Sequence, residues 1–216
     1  MVCYDIYMDS KRLEAFTDGV FAIVVTLLVL DIKLPDGTTA DNLENNIIHI
    51  LPSLGTYFLS FLVVGLYWIF HHRASHYFKS SDTPVLWLNL VYLMFIALIP
   101  FSASMLSKFI YTPWAILFYG VNLLLITLSG WLIFLYLYRH KNLVQGEITP
   151  EIFRAQRHHY LKIAYLYAIG IISGFYLPRI SIYIYVIVTL NLILGTLSTK
   201  FSWQRRIKNN TLGVSK

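Results

Sequence analysis

Arg12-Leu-Glu-Ala-Phe16-Thr17-Asp18-Gly19, running on through Ile23, Thr26, Leu27 and Leu30 to Pro35, is the stretch that decides how this chain is built. It sets an arginine, a hydroxyl and an aspartate at the mouth of a helix whose apolar part is short. Between Asp18 and Asp31 only residues 19–30 are uncharged. That falls short of the roughly 20 residues that cross a hydrocarbon layer of about 30 Å at about 1.5 Å each. A helix facing lipid seldom carries charge so deep, whereas one lining a water-filled path does.

The rest of the chain supplies the solvent for this segment. Of 216 residues, 57% are apolar and 13% charged, more apolar surface than a soluble domain of that length can bury. Hydrophobic runs recur at roughly 14–34, 53–75, 84–107, 112–138, 160–178 and 180–201, which predicts an all-α integral membrane protein with six spanning helices. Residues 1–204 form one such domain in this reading, followed by a basic tail over 205–216. Pro35, Pro84 and Pro113 mark edges of runs, and Pro100 falls inside the third, where it predicts a kink. Only Leu177-Pro178-Arg179 separates the last two runs, which predicts a tight helical hairpin. Met1 to Ser10 has no apolar core of a cleavable signal, so the first span is expected to act as an uncleaved insertion signal.

The charge balance gives an orientation. The net charge is +6, but the basic residues sit between apolar runs, the pattern of topology rather than of nucleic-acid binding. With six spans and an inside N-terminus, 14 of the 17 Lys and Arg lie inside, and Lys33, Lys108 and Arg179 lie outside. Without the first span the split weakens to 12 against 5. Both termini are therefore expected in the cytoplasm, in a prokaryotic plasma membrane. Arg205, Arg206 and Lys208 form a juxtamembrane cluster suited to anionic lipid. Asp31, Asp36, Asp41 and Glu44, against Lys33, make the outer end acidic, either a vestibule that concentrates cations or a merely solvated loop.

On a helical wheel Ile23, Leu27 and Leu30 fall within roughly 60° of one another, with Thr26 at the edge and Asp18 about 140° from Ile23. Such a stripe is a packing seam or a pore wall, and spacing does not choose between them. Arg12, Glu14 and Asp18 need partners at the membrane boundary. Trp68 and His71 share a helical face at the same level, and Asn89 stands nearby, so a hydrogen bond from Trp68 or His71 to Asp18 is expected. The adjacent pair His71-His72 lacks the spacing of a zinc site, and neither a metalloprotease motif nor a phosphate-binding loop occurs. Cys3 is the only cysteine, which excludes an internal disulfide. Neither an enzyme nor a bound cofactor is expected.

Arg12-x-x-x-Phe16-Thr17-Asp18-Gly19 resembles the Arg-x-x-x-Phe-Ser-Asp signature of the transmembrane protein 175 family of endosomal and lysosomal potassium channels. Thr17 stands for its serine and keeps the hydroxyl. Tyr67-Trp68-x-x-His71, Leu88-Asn89-Leu90 and Pro100-Phe101 add to the resemblance, which at motif level covers the first half of the chain and points to the prokaryotic branch. It implies a homotetrameric, potassium-selective leak channel without the glycine-tyrosine-glycine filter, with potassium as the permeant ion and the first helix lining the pore. Ile23 would form the main constriction, Leu27 and Leu30 further rings, and Thr26 a hydroxyl layer. Arg12, Phe16, Thr17, Asp18, Trp68, His71 and Asn89 would hold that helix in place. The alternative is a secondary transporter, which predicts inverted repeats and broken helices with binding groups at mid-membrane.

Overall fold

The computed structural model describes residues 8–75, 77–145 and 148–212, with side chains from Ser10 to Thr196 apart from Asn45. The basic tail cluster lies outside the described side chains. Six helical rods make up the chain. α1 is Ser10–Leu27, prolonged by a 3-10 turn over Leu28–Asp31, and α2 is Leu43–Ser75. The third rod is broken into α3, Thr83–Ala97, and α4, Ile99–Lys108. α5 is Pro113–Arg139, α6 Pro150–Tyr176 and α7 Pro178–Leu212. Five rods are long and apolar enough to cross a membrane. The remaining one, α6, carries Glu151, Arg154, Arg157 and Lys162 in its first half, which lowers its mean hydropathy. The fold is all-α and multi-pass.

Local chemistry sets most of the boundaries. Prolines stand in the first turn of α3, α5 and α6, where the absent N–H costs nothing. The Asp82 carboxylate caps α3 by accepting from the Val85 N–H at 3.1 Å, and its second oxygen accepts from the Tyr136 hydroxyl at 2.7 Å. Thr149 caps α6. Pro100 breaks the third rod as the sequence predicts. It offers no N–H to the Ile96 carbonyl, and the Leu98 N–H instead bifurcates to Met94 and Phe95. A single residue, Leu177, turns α6 into α7, and the Oγ atoms of Ser173 and Ser181 meet at 2.9 Å across the hairpin.

Three helices overrun their expected limits. α2 starts ten residues before the expected boundary at 53, because Pro52 is accommodated inside it. A reciprocal cap, in which the Thr39 N–H donates to Asn42 Oδ1 at 2.7 Å, and a bond from Asn46 to Thr38 at 2.9 Å start the helix earlier. At about 1.5 Å per residue α2 is then roughly 50 Å long, so its first turns stand clear of the hydrocarbon. α6 begins at Pro150 rather than at 160, because the basic stretch Arg154–His159 is helical and continuous with the span. α7 likewise begins at Pro178 and runs on to Leu212. A two-residue antiparallel ladder, Met8–Asp9 (β1) with Ser80–Ser81 (β2), ties the chain before α1 to the α2–α3 connection. Phe78 bridges Val144 in the same region, so one end of the bundle is laced together by backbone.

α5 runs through the middle of the bundle and packs against α3, α4, α6 and α7. Where α5, α6 and α7 meet, the Tyr185 ring fills a slot that only glycine leaves open. A Cβ at Gly120 would collide with the Tyr185 hydroxyl, and one at Gly170 would lie 2.5 Å from its ring. The hydroxyl donates to the Ile116 carbonyl at 3.2 Å. Nearby, the Tyr67 hydroxyl of α2 meets Thr127 Oγ1 of α5 at 3.0 Å, and Tyr119 of α5 meets Ser60 of α2 at 3.2 Å. Small residues and interhelical hydroxyls are what hold helices together where lipid offers no hydrophobic gain.

Overpacking of this kind costs about 1–3 kcal/mol. Gly120→Ala is expected to lower the thermal unfolding temperature of the purified protein, and Tyr185→Phe to recover part of the loss. Gly55→Ala, where a Cβ meets nothing within 4 Å, is expected to leave the melting curve unmoved.

Candidate functional site

α1 has two faces. Leu13, Thr17, Phe21, Val24 and Leu28 are buried against the bundle at steps of three and four. The opposite face is open, and the sequence-selected residues lie there: Phe16 is 53% exposed, Ile23 60%, Leu27 42% and Leu30 63%, with Thr26 exposed beside them. Ala15, Gly19 and Ala22, exposed as well, border the stripe with small side chains. The Thr26 hydroxyl donates back to the Ile23 carbonyl at 2.8 Å. Its proton is thereby spent on the helix, and its oxygen lone pairs remain for a partner outside.

The N-terminal end of α1 is held by side chains spaced for helical faces. Glu14, Thr17 and Asp18 meet Trp68, His71, His72 and Ser75, which follow one another at i, i+3, i+4 and i+7 on α2. The Trp68 indole N–H donates to Asp18 Oδ1 at 2.8 Å. The Asn89 amide donates to the buried Thr17 hydroxyl at 3.0 Å, and Asn89 Oδ1 is 3.0 Å from His71 Nε2. Accepting at Oδ1 requires the proton on Nε2 of the imidazole. Three helices thus share one relay, with the His71 ring stacked on Tyr92 at 5.6 Å.

A second relay lies beside the first. Glu14 Oε1 accepts from Ser75 Oγ at 2.9 Å and stands 3.2 Å from His72 Nδ1. The His72 ring stacks on Trp68 with centroids 5.5 Å apart. Sequence reading selected Trp68 and His71 and left out His72 and Ser75, although the same spacing marks all four. Arg12 is not drawn into either relay. It lies on the open face below Phe16 and has no hydrogen bond or ion pair with the described residues.

The C-terminal end of α1 is held as well. Asp31 Oδ1 accepts from the Ser104 hydroxyl at 2.6 Å and lies 3.5 Å from Lys108 Nζ. Both partners are on α4, and neither is marked by a sequence motif. Asp31 therefore has its charge countered locally, while Asp36, Asp41 and Glu44 stand exposed in the α1–α2 connection and the start of α2.

An anchored first helix with an open apolar stripe invites comparison with known proteins. Residues 12–100 match the model of a family described as the endosomal/lysosomal potassium channel TMEM175. A potassium channel of Chryseobacterium sp. strain P1-3 is 30% identical over 183 residues, spanning 85% of this chain and 92% of that one. The chain belongs to the TMEM175 family. A Streptomyces collinus potassium channel is 41% identical over 102 residues, about half of each chain. Family members known by such names are channels, a class without catalysis. The fold agrees with the family: the crystal structure of a lysosomal potassium-selective channel TMEM175 homologue from Chamaesiphon minutus superposes with a TM-score of 0.76 at 23% identity, covering 86% of this chain and 97% of that one. The family match takes in α1, α2 and α3 to the break at Pro100, the segments that carry both relays at the start of α1.

Removing one partner of a buried hydrogen bond costs about 1–3 kcal/mol. Asn89→Ala strands both Thr17 and His71 and is expected to lower the unfolding temperature more than Asp18→Asn or Trp68→Phe. In a double-mutant cycle on thermal stability, Asp18→Ala and Trp68→Phe are expected to be less than additive, because each removes the same bond.

Proposed function

We propose that this chain is the subunit of a homotetrameric potassium-selective leak channel, with four copies of α1 around a central path. The observation that carries the reading is the open stripe Phe16–Ile23–Leu27–Leu30 on a helix otherwise packed and tied at both ends. A packing seam within the subunit would be covered, and this one is not. Membership of a family whose relatives are named potassium channels supplies the ion.

Four Ile23 side chains facing an axis make a neck that water leaves readily, so a small widening switches conduction. Leu27 and Leu30 form further rings. Thr26 presents acceptor oxygens between them, a layer where a partly dehydrated cation finds ligands. Potassium loses water more easily than sodium, so a dehydrating neck favours it. Thr17, Asp18, Trp68, His71 and Asn89 position the pore helix and do not bind the ion, whereas Phe16 belongs to the open stripe and Arg12 stands on the same open face. Asp36, Asp41 and Glu44, repeated fourfold, raise the local cation concentration at the outer mouth, Asp31 contributing less because Lys108 opposes it.

The charge distribution supports cytoplasmic termini, with residues 1–204 as the channel domain and 205–216 as a basic tail near anionic lipid. No organic cofactor or nucleic acid enters this reading.

Potassium flux from liposomes holding the purified protein tests it. Ile23→Ala and Ile23→Asn are both expected to change conductance or selectivity several-fold, with Asn, which keeps the neck wet, raising the leak. A folded tetramer with unaltered flux and selectivity in both variants removes Ile23 from this role. Replacing Asp36, Asp41 and Glu44 by their amides is expected to lower conductance in dilute salt and to have little effect near 1 M, where the screening length falls to about 3 Å.

A further inference from the structure

Away from the α1 stripe, the bundle holds a half-open cavity of about 1070 Å³ between α2, α5, α6 and α7, with Tyr92 of α3 in its wall, at the end where α2 and α5 finish and α6 begins. That volume lies just above the roughly 300–1,000 Å³ usual for ligand pockets. Its inner wall is apolar and aromatic, formed by residues such as Phe70, Ile133, Phe134 and Leu192. Among the described residues no acidic side chain lines it, and the one permanently charged lining group is Arg73, whose guanidinium also donates to the Thr196 carbonyl at 3.3 Å. The Tyr160 hydroxyl and the Gln156 amide line it with no hydrogen-bond partner among the described residues. Gly195 of α7 opens on it, and a Cβ there would meet nothing within 4 Å.

A greasy interior, donors left unused and a single cation at the rim describe the complement of an amphiphile with an anionic head. We propose that this cavity is an intrasubunit site for an anionic phospholipid, with its phosphate at Arg73 and an acyl chain among the α5, α6 and α7 side chains. The end of the bundle that holds it is the one carrying Arg139, Lys141, Arg154 and Arg157, a level that fits a headgroup layer. The guanidinium supplies charge-assisted donors suited to phosphate oxygens. Tyr160 and Gln156 donate to the remaining head or ester oxygens. His71, which lines the same cavity, also belongs to the relay that holds α1. An occupant therefore touches the helix on which the proposed pore wall is mounted.

Native mass spectrometry of the whole protein in a neutral detergent, titrated with phosphatidylglycerol or phosphatidylcholine, tests the site. Wild type is expected to retain one phosphatidylglycerol per chain and to hold phosphatidylcholine roughly tenfold more weakly. Arg73→Gln is expected to bring the two lipids level, and Arg73→Lys to restore the preference. Gly195→Phe, which puts a ring into the cavity, is expected to weaken both, with the elution profile showing that the variant is folded. Equal binding of the two lipids by wild type overturns the proposal, as does undiminished binding by folded Gly195→Phe. Displacement of the lipid by millimolar inorganic phosphate also overturns it, since that marks an anion pocket without a chain. The site rests on the membrane reading of the bundle but not on conduction. Binding is read without any current, so its failure and that of the channel reading are separable.

Discussion

Two paired aspartates make the first helix possible. Asp18 and Asp31 bound an uncharged run of twelve residues, too short to cross a bilayer with its charges bare. Asp18 accepts a hydrogen bond from the Trp68 indole N–H, and Asp31 accepts one from the Ser104 hydroxyl and pairs with the Lys108 ammonium. With both ends satisfied, the helix and its 3-10 turn extend about 27 Å and about 8 Å, enough to span. The pairing also fixes rotation about the helix axis. Holding Glu14, Thr17 and Asp18 against α2 and α3 turns Ile23, Leu27 and Leu30 away from the bundle.

Everything else in the chain supports that arrangement. α2 brings four polar positions to the two relays at the start of α1, and α3 brings Asn89. Behind them α5 packs against four other helices, with Tyr185 locked between Gly120 and Gly170. The hydroxyls of Tyr67, Tyr119 and Thr127 tie α2 to α5, so the helix that holds α1 is itself held. Anchor, scaffold and stripe form one mechanical series.

Period and length made the spans readable in the sequence, and Pro100 announced the break in the third. The overruns of α2 and α6 were hidden because hydropathy measures contact with lipid, whereas helix continuity depends on caps such as Thr39–Asn42 and Thr149. Spacing on one face pointed to Trp68 and His71. The pairing of Glu14 with His72 and Ser75 obeys the same spacing but becomes visible only once α1 and α2 are side by side. Ser104 and Lys108 carried no signal at all, because a contact across 73 residues has no local pattern. The wheel located the stripe, but whether it is covered depends on where the other helices lie.

The break at Leu98 divides the third rod between the two ends of the first. Asn89, on α3, grips α1 at Thr17, whereas Ser104 and Lys108, on α4, grip it at Asp31. α1 is thus strung like a bowstring across a jointed bow. Any flexing at Leu98 changes the span between the two nocks and reaches α1 as tension or slack along its length. Ile23, Leu27 and Leu30 of its exposed stripe lie between those nocks.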